Sequence, residues 1–552
     1  MNKTTGSRIF LSLLEDEGIG HLFGNPGTTE LPLMDALKDH PDLTYILGLQ
    51  ESVVVTMADG FARASGKLAA CNVHVAPGLG NAMGAIYNAK FTGAPLLITA
   101  GQQEQGHGLT EPLLYDPLVP IAAPLVKWAT EITRLEDMPR VVRRAAKIAT
   151  TPPTGPVFLS LPGDILNDEK GIDLGRATRV DCSSRPTDET LEKLAVRLLK
   201  AERPALLVGH EVVTSHAFDQ IAQFAELLGA PAFQQTVPYG AHFPSEHPAF
   251  MGALSRDQQQ VRDVLAEYDL LVVAGADVLR MSVWSETDPL PPDLPLVQLG
   301  LIDGEMGKNY AAEVAIRADL KATLEALLPI IGAIGGDRLR AKAAERLGAI
   351  ADRNWRAKCA QRRAIASTRS HARPIAPDWL MMQIVDALPK DAVLVNEGLT
   401  AANSLLEMLP FRDKDGFHAF ASGGIGWAIA AAIGIQLAKP ERPVVAVIGD
   451  GSAMYTIQAL WTAAHLNLPI TYVILNNQGY RILKQRLQAF HGNEHFIGMD
   501  IDDPPIAFDG LARSFGLQAC RVDDPGDVRE ALEGMVATQK PGLLEVVVER
   551  NI

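Results

Sequence analysis

With 552 residues the chain is too long for one hydrophobic core, and at roughly 150 residues per domain it suggests three or four. Its formal charge of -15, from 50 Lys and Arg against 65 Asp and Glu, excludes a general polyanion binder, so no nucleic-acid partner is expected. An apolar fraction of 47% with 21% charged residues is that of a folded, soluble protein.

The N-terminus, "MNKTTGSRIFLSLLEDEG", brings acids in soon after its short apolar run, unlike a signal peptide. From there to about Leu174 the chain alternates between amphipathic, helix-like segments and short apolar runs: "HLFG", "TYILG", "LAACNVHV", "PLLITAG" and "PVFLSLP". Such alternation predicts a parallel sheet with helices on both faces. A polar stretch, "TRVDCSSRPTDET", reads as a linker. The pattern restarts with "PALLVGHE", "LLVVAGAD" and "LPLVQLG", runs into a long charged helix, and breaks again at "STRSHARPIAP". "DAVLVNEG", "PVVAVIGDG", "ITYVILNN" and "GLLEVVVE" belong to the last unit. The expected class is therefore α/β, three doubly wound parallel-sheet domains in series over residues 1–178, 188–345 and 372–552.

The longest apolar stretch, "WAIAAAIGIQLA", stops at Lys439 and Pro440, short of the ~20 residues of a membrane span, and no membrane is expected. Cys71, Cys182, Cys359 and Cys520 are far apart with no CxxC pair, which points away from a zinc cluster or disulfide framework and toward the cytoplasm. The glycines of "APGLGNAMG" are spaced GxGxxxG, and the ribose-binding acid of a dinucleotide site is missing after them, so that reading is rejected.

In the last unit, Asp450 in "GDGS" and Asn477 in "NNQG" stand 477 − 450 = 27 residues apart. The intervening "AMYTIQALWTAAHLNLP" reads as one helix, so both side chains reach neighbouring strand ends, where open α/β sheets bind ligands. A carboxylate and an amide oxygen there suit Mg²⁺, an ion commonly shared with a diphosphate, and the N–H groups of Gly451 and Ser452 suit anionic oxygens.

GDG followed after a helix by NN resembles the fingerprint of the thiamine diphosphate-dependent decarboxylases and carboligases. "FGNPGTTELP", "LGLQES", "NVHVAPGLGNAMGA", "ASGGIGWAIAAAIG" and "GDGSAMYTIQALWTAA" follow the pattern of the benzoylformate decarboxylases among them, in order. The match is good over both terminal domains and weaker over the middle one.

The resemblance implies thiamine diphosphate and Mg²⁺ as cofactors, the metal held by Asp450, Asn477 and the carbonyl of Gly479. It implies that Thr400 and Ser452, with Gly451, contact the diphosphate, that Gly423 offers its carbonyl to the aminopyrimidine, and that Ile425 bends the cofactor. Glu51, which opens a helix where the dipole alone would favour a carboxylate, becomes the group that drives proton transfer through the pyrimidine. His74 and Thr28 become active-site residues, although Thr28 also reads as a helix N-cap. The first domain would hold the aminopyrimidine and the last the diphosphate.

The resemblance also implies a homodimer or homotetramer with the active site between subunits. Its reaction is non-oxidative decarboxylation of a 2-oxo acid to an aldehyde, with carboligation the alternative and a non-catalytic cofactor-binding protein a remote third. Two positions depart from the pattern. Ser282 stands where a second histidine is expected, and Arg486, after Ile482 and Leu483, stands where an aromatic pocket residue is expected, which suggests a cationic pocket for a polar or acidic substrate.

Overall fold

The computed structural model describes residues 3–550 and contains three six-stranded, wholly parallel sheets. The first is built from His21–Gly24, Thr44–Leu47, Ala69–Val73, Leu96–Gln102, Ala129–Glu131 and Val157–Pro162, arranged 2-1-3-4-6-5 when numbered along the chain. The last, from Val393–Glu397, Phe417–Ala419, Val444–Gly449, Ile470–Asn476, Gln518–Val522 and Gly542–Val547, has the same order. The middle sheet runs through Pro204–Val208, Ala232–Gln234, Phe250–Ala253, Leu270–Ala274, Leu296–Gly300 and Val314–Arg317 in the order 3-2-1-4-5-6. Central strands such as Leu96–Gln102 and Ile470–Asn476 are buried at every residue, which is why they read as unbroken apolar runs.

One predicted element is different. The segment after GDG is two short helices, Asp450–Ala453 and Ala459–His465, and not one. Thr456 between them donates its hydroxyl to the carbonyl of Gly426 at 2.7 Å, and a Cβ on Gly426 would lie 2.5 Å from that of Tyr455. Tertiary anchoring to the glycine loop overrides local helix propensity here.

The apolar run becomes helix Ala428–Ala438, buried almost all round. It lies against helix Glu51–Ser65 of the first domain so closely that a Cβ on Gly60 would come within 2.3 Å of the Ala431 carbonyl oxygen, and one on Gly434 within 1.9 Å of that of Met57. The pairing of residue 60 with 431 and 57 with 434 makes the two helices antiparallel. Beside them Arg63 stacks 4.5 Å from the centre of the Trp427 ring and donates to the carbonyls of Tyr239 (2.7 Å) and Ala419 (3.0 Å), so one side chain joins all three domains.

A cavity of about 1130 Å³ opens between the first and middle domains at the ends of Pro204–Val208, Leu270–Ala274 and Leu296–Gly300. Glu51, His74, Asp450 and Asn477 all lie outside its lining.

Candidate active site

The two asparagines of "NNQG" have separate tasks. Asn476 turns inward, donating to Glu545 Oε1 at 2.8 Å and accepting from the Gln478 N–H. Asn477 Oδ1 and Asp450 Oδ2 converge on one donor, the N–H of Gly479, at 3.1 and 3.3 Å. The predicted convergence is thus present, through adjacent strands that pair along their length. Gln478 adopts φ +57, which turns the chain between them.

Asp450 is 4% exposed. Burial raises its carboxyl to about 6, against the opposing pull of nearby backbone N–H donors including those of Gly451 and Gly479. Gly451 must be glycine, since a Cβ there would lie 2.6 Å from the Tyr480 ring. Its N–H is engaged by Asp450 Oδ1 at 2.7 Å, so it is not free for a phosphate as the sequence suggested. The Ser452 hydroxyl, by contrast, is buried with no hydrogen-bond partner among the described residues. An orphaned hydroxyl beside a desolvated carboxylate and an amide oxygen is a donor set that a diphosphate with a hard cation would complete, so these residues fit that group.

Around it, Thr400 lies half-buried in the turn Leu399–Ala402 that leaves the neighbouring strand Val393–Glu397. The loop Ser422–Gly426 carries Gly423 (φ +86), Gly426 (φ +93) and half-buried Ile425. Glu397 braces it, accepting from the N–H of Gly426 at 2.6 Å and of Ala428 at 2.7 Å, while burial raises its carboxyl to about 7. Asn88 from the first domain donates to the Gly424 carbonyl at 3.1 Å. Helix Arg481–His491 follows the Gly479 turn, with Ile482 half-buried and Leu483 and Arg486 exposed.

The second cluster sits at strand ends of the first sheet. Glu51 opens its helix after Gln50, whose side chain caps the N–H groups of Ser52 and Val53. Its two oxygens are held separately, by Asn25 Nδ2 at 3.2 Å and Asn81 Nδ2 at 3.0 Å. His74 ends strand Ala69–Val73 and precedes helix Val75–Thr92, with Val75 at φ +38, an expensive conformation for a β-branched residue. Its Nδ1 bonds Glu30 Oε2 at 2.7 Å. Fully buried Glu30 also accepts from the Gly27 N–H, the Gly101 N–H and the Thr29 hydroxyl.

Thr28 is exposed in the turn Thr28–Glu30, and the cap position belongs to Gly27, not to Thr28. It is Thr29 whose hydroxyl approaches His74 Nδ1, at 3.3 Å. Gly27 leaves space for the imidazole, since a Cβ there would lie 2.0 Å from Nδ1. Ser282 is exposed in the irregular loop after strand Leu270–Ala274.

Sequence reasoning missed Asn25, Asn81, Glu30, Glu397 and Asn88. The first three lie inside "FGNPGTTELP" and "NVHVAPGLGNAMGA", motifs noted for other residues, and nothing local marks Glu397 or Asn88.

Glu51 and the Ile425 loop do not meet within one chain. Along the antiparallel pair, Glu51 lies six residues to one side of the Met57–Gly434 crossing and Ile425 nine residues to the other. At 1.5 Å per residue they are roughly 20 Å apart.

Comparison with known proteins joins these observations. Family models described as thiamine pyrophosphate enzyme, N-terminal TPP binding domain, central domain and C-terminal TPP binding domain match residues 4–113, 191–327 and 401–546. The chain is 34% identical over 539 residues to a benzoylformate decarboxylase of Pseudomonas aeruginosa, covering 97% of each. It is 28% identical to a probable acetolactate synthase large subunit of Methanocaldococcus jannaschii, over 99% of this chain and 92% of that one. A solved thiamine diphosphate-dependent 4-hydroxybenzoylformate decarboxylase of Rhodococcus jostii superposes with a TM-score of 0.85 at 30% identity, covering 99% of this chain and all of that one. Three matched domains in the order of the three sheets, and identity sustained along the whole length, show that the chain belongs to the thiamine pyrophosphate-dependent enzymes.

Proposed function

We propose that this enzyme decarboxylates a 2-oxo acid without oxidation and releases an aldehyde, using thiamine diphosphate and Mg²⁺ in sites completed by two copies of the chain. The carrying observation is the division of polar groups: Glu51 and His74 are on one domain and Asp450, Ser452 and Asn477 on another, with Glu51 roughly 20 Å from the Ile425 loop of that second domain in the same chain. A second copy can supply the missing half, which supports a homodimer or a homotetramer built as a dimer of dimers. The four cysteines stand as free thiols, which suits the cytoplasm.

Asp450, Asn477 and the Gly479 carbonyl would hold the metal, Ser452 and Thr400 the diphosphate, and Ile425 and Gly423 the rings. When bound, thiamine diphosphate supplies the carbon that adds to the substrate ketone and takes up the electron pair left by departing carbon dioxide. The chain's own part is proton handling. Asn25 and Asn81 fix the Glu51 carboxylate so that it meets the pyrimidine in one orientation. Glu30, a positioning residue, engages His74 Nδ1, which leaves Nε2 as the ring nitrogen that exchanges a proton with the substrate. Thr28 would offer a hydroxyl to the substrate carboxylate.

Product identification from a panel of 2-oxo acids tests the reaction: aldehyde supports it, while absence of carbon dioxide release from all of them overturns it. A mixture of Glu51→Gln and Asp450→Ala proteins tests the shared site. Each is expected to be inactive alone, and mixing after mild dissociation restores part of the activity only if Glu51 and Asp450 of one site come from different copies.

A second reading, carboligation, is favoured by one observation: exposed Ser282 supplies no imidazole where the resemblance expects one. Slower protonation would give an acceptor aldehyde time to react, so ligated product should appear when aldehyde is added and should decline in Ser282→His.

A further inference from the structure

Glu545 is fully buried on strand Gly542–Val547, directly beside the strand that delivers Asn477, and touches none of the residues proposed to hold the cation. It stands opposite Ile474, so Asn476, two residues on, shares its face of the sheet. Its two oxygens have different partners. Oε1 accepts from Asn476 Nδ2 at 2.8 Å and from Arg521 Nη1 at 3.4 Å, while Oε2 accepts from the N–H of Asp509 at 3.0 Å.

Those partners lead to the metal site. The Asn476 amide lies between this acceptor-only carboxylate and the Gln478 N–H, which donates to its Oδ1 at 3.1 Å, so only one orientation of the amide satisfies both. The second bond closes the turn in which Gln478 stands at φ +57, and the next residue supplies the N–H on which Asp450 and Asn477 converge. Asp509 marks the far end of the same excursion. The chain leaves the sheet at Gln478 and is held again at Asp509, 509 − 478 = 31 positions later, and helix Arg481–His491 between them has no buried residue. The excursion folds back on its own root: the Tyr480 N–H donates to the Met499 carbonyl at 2.8 Å, and the Ile501 N–H to the Gln478 carbonyl at 2.9 Å. One carboxylate thus ties both its departure and its return to the sheet.

Mg²⁺ demands near-ideal octahedral oxygens, whereas Ca²⁺ accepts variable geometry. We propose that Glu545 is a positioning residue for the metal site: through Asn476 and Asp509 it holds the Gln478 turn so that Asn477 Oδ1 and the Gly479 carbonyl keep a separation that favours Mg²⁺ over larger cations. The inference rests on the reading that Asp450, Asn477 and Gly479 hold the ion. Glutamate is required because both oxygens must accept. Whichever way the amide of Glu545→Gln turns, its NH₂ group meets either Asn476 Nδ2 or the Asp509 N–H. The polarity can instead be reversed: in the double variant Glu545→Gln with Asn476→Asp, the new amide donates to position 476 and accepts from Asp509, and the new carboxylate still accepts from Gln478.

Protein freed of metal and supplied with thiamine diphosphate is titrated calorimetrically with Mg²⁺ and, separately, with Ca²⁺. Glu545→Gln should weaken Mg²⁺ binding by roughly 10- to 100-fold and Ca²⁺ binding only a few-fold, so the ratio of the two affinities falls. The double variant should bring that ratio back to within about 3-fold of the wild type. Asn476→Ala, which leaves Glu545 bonded to Asp509, should lower the ratio in the same way and decides the matter if Glu545→Gln does not fold. An unchanged ratio in the single variants overturns the inference, because a merely structural lesion weakens both ions alike or neither; so does a double variant that recovers nothing. If Asp450→Ala keeps wild-type Mg²⁺ affinity, the reading of the metal site itself fails. Loss of Mg²⁺ in Asp450→Ala with no change in Glu545→Gln or Asn476→Ala refutes the positioning role alone.

Discussion

The first and last sheets have the same strand order, and both gather polar side chains at their strand ends, but they treat those side chains in opposite ways. In the first domain, both oxygens of Glu51 are held by amides and His74 is held by a carboxylate that is itself saturated with donors. In the last, Asp450 is desolvated and the Ser452 hydroxyl has no hydrogen-bond partner among the described residues. One copy of the architecture orients groups that move protons; the other keeps bonding capacity that a ligand fills. Preorganisation suits catalysis, because orientation is supplied before the substrate arrives. Unmet capacity suits binding, because the ligand removes a cost already present in the folded chain.

The largest effects should separate the two roles. Glu51→Gln is expected to lower turnover by roughly 10²- to 10⁴-fold, the range of general acid–base contributions, while cofactor affinity changes only a few-fold. Proton–deuterium exchange at the reactive carbon of the bound cofactor checks it; exchange at the wild-type rate would reduce Glu51 to a helix-start carboxylate. Asp450→Ala should do the reverse and weaken Mg²⁺-dependent cofactor binding by about 100-fold or more, because a first-contact ligand is lost where even supporting residues cost 10- to 100-fold. Calorimetric titration measures it, and unchanged affinity would remove Asp450 from the metal site.

A smaller effect probes how far the first domain's preorganisation extends. Glu30→Gln keeps the shape but puts a donor among four donors, so His74 loses its orientation. Turnover should drop by roughly 10-fold with a displaced pH profile, as for outer residues that steer a functional group. A purely structural role would lower thermal stability and leave the pH profile of the remaining activity in place.

What the sequence disclosed depended on where the physics was local. Buried central strands announced themselves as apolar runs, and the glycine-flanked Asp450 and the paired asparagines marked their own strand ends. Strands Ala129–Glu131, Phe250–Ala253, Val314–Arg317, Phe417–Ala419 and Gln518–Val522 passed unread, and all five lie at sheet edges, where one flank is unpaired and the runs are short. Ala232–Gln234, only three residues long, also left no periodicity to find. Among site residues, Glu397 and Asn88 act through partners 29 and 336 positions away. Separations of that kind exist only after the chain has folded.

The smallest predicted effect gives the comparison a thermodynamic test. Burial holds the Asp450 carboxyl at about 6 in the folded chain against an ordinary 3.8. Between those values the folded state binds more protons than the unfolded one, so the cofactor-free protein should lose stability as pH rises from about 4 to 6, the reverse of the usual paired carboxylate. The loss is at most about 3 kcal/mol, from 2.2 pKa units at 1.36 kcal/mol each. Asp450→Asn keeps the size and discards the charge. It should therefore melt higher than the wild type above pH 6 when free of cofactor, by a few degrees, and converge with it near pH 4. Adding Mg²⁺ and thiamine diphosphate should invert the ranking, because the cation needs the ionised carboxylate that the wild type alone supplies. Parallel melting curves of the two proteins across this pH range, without that crossing, would mean that the last domain stores no unmet charge at Asp450, and the contrast between the two sheets would lose its energetic content.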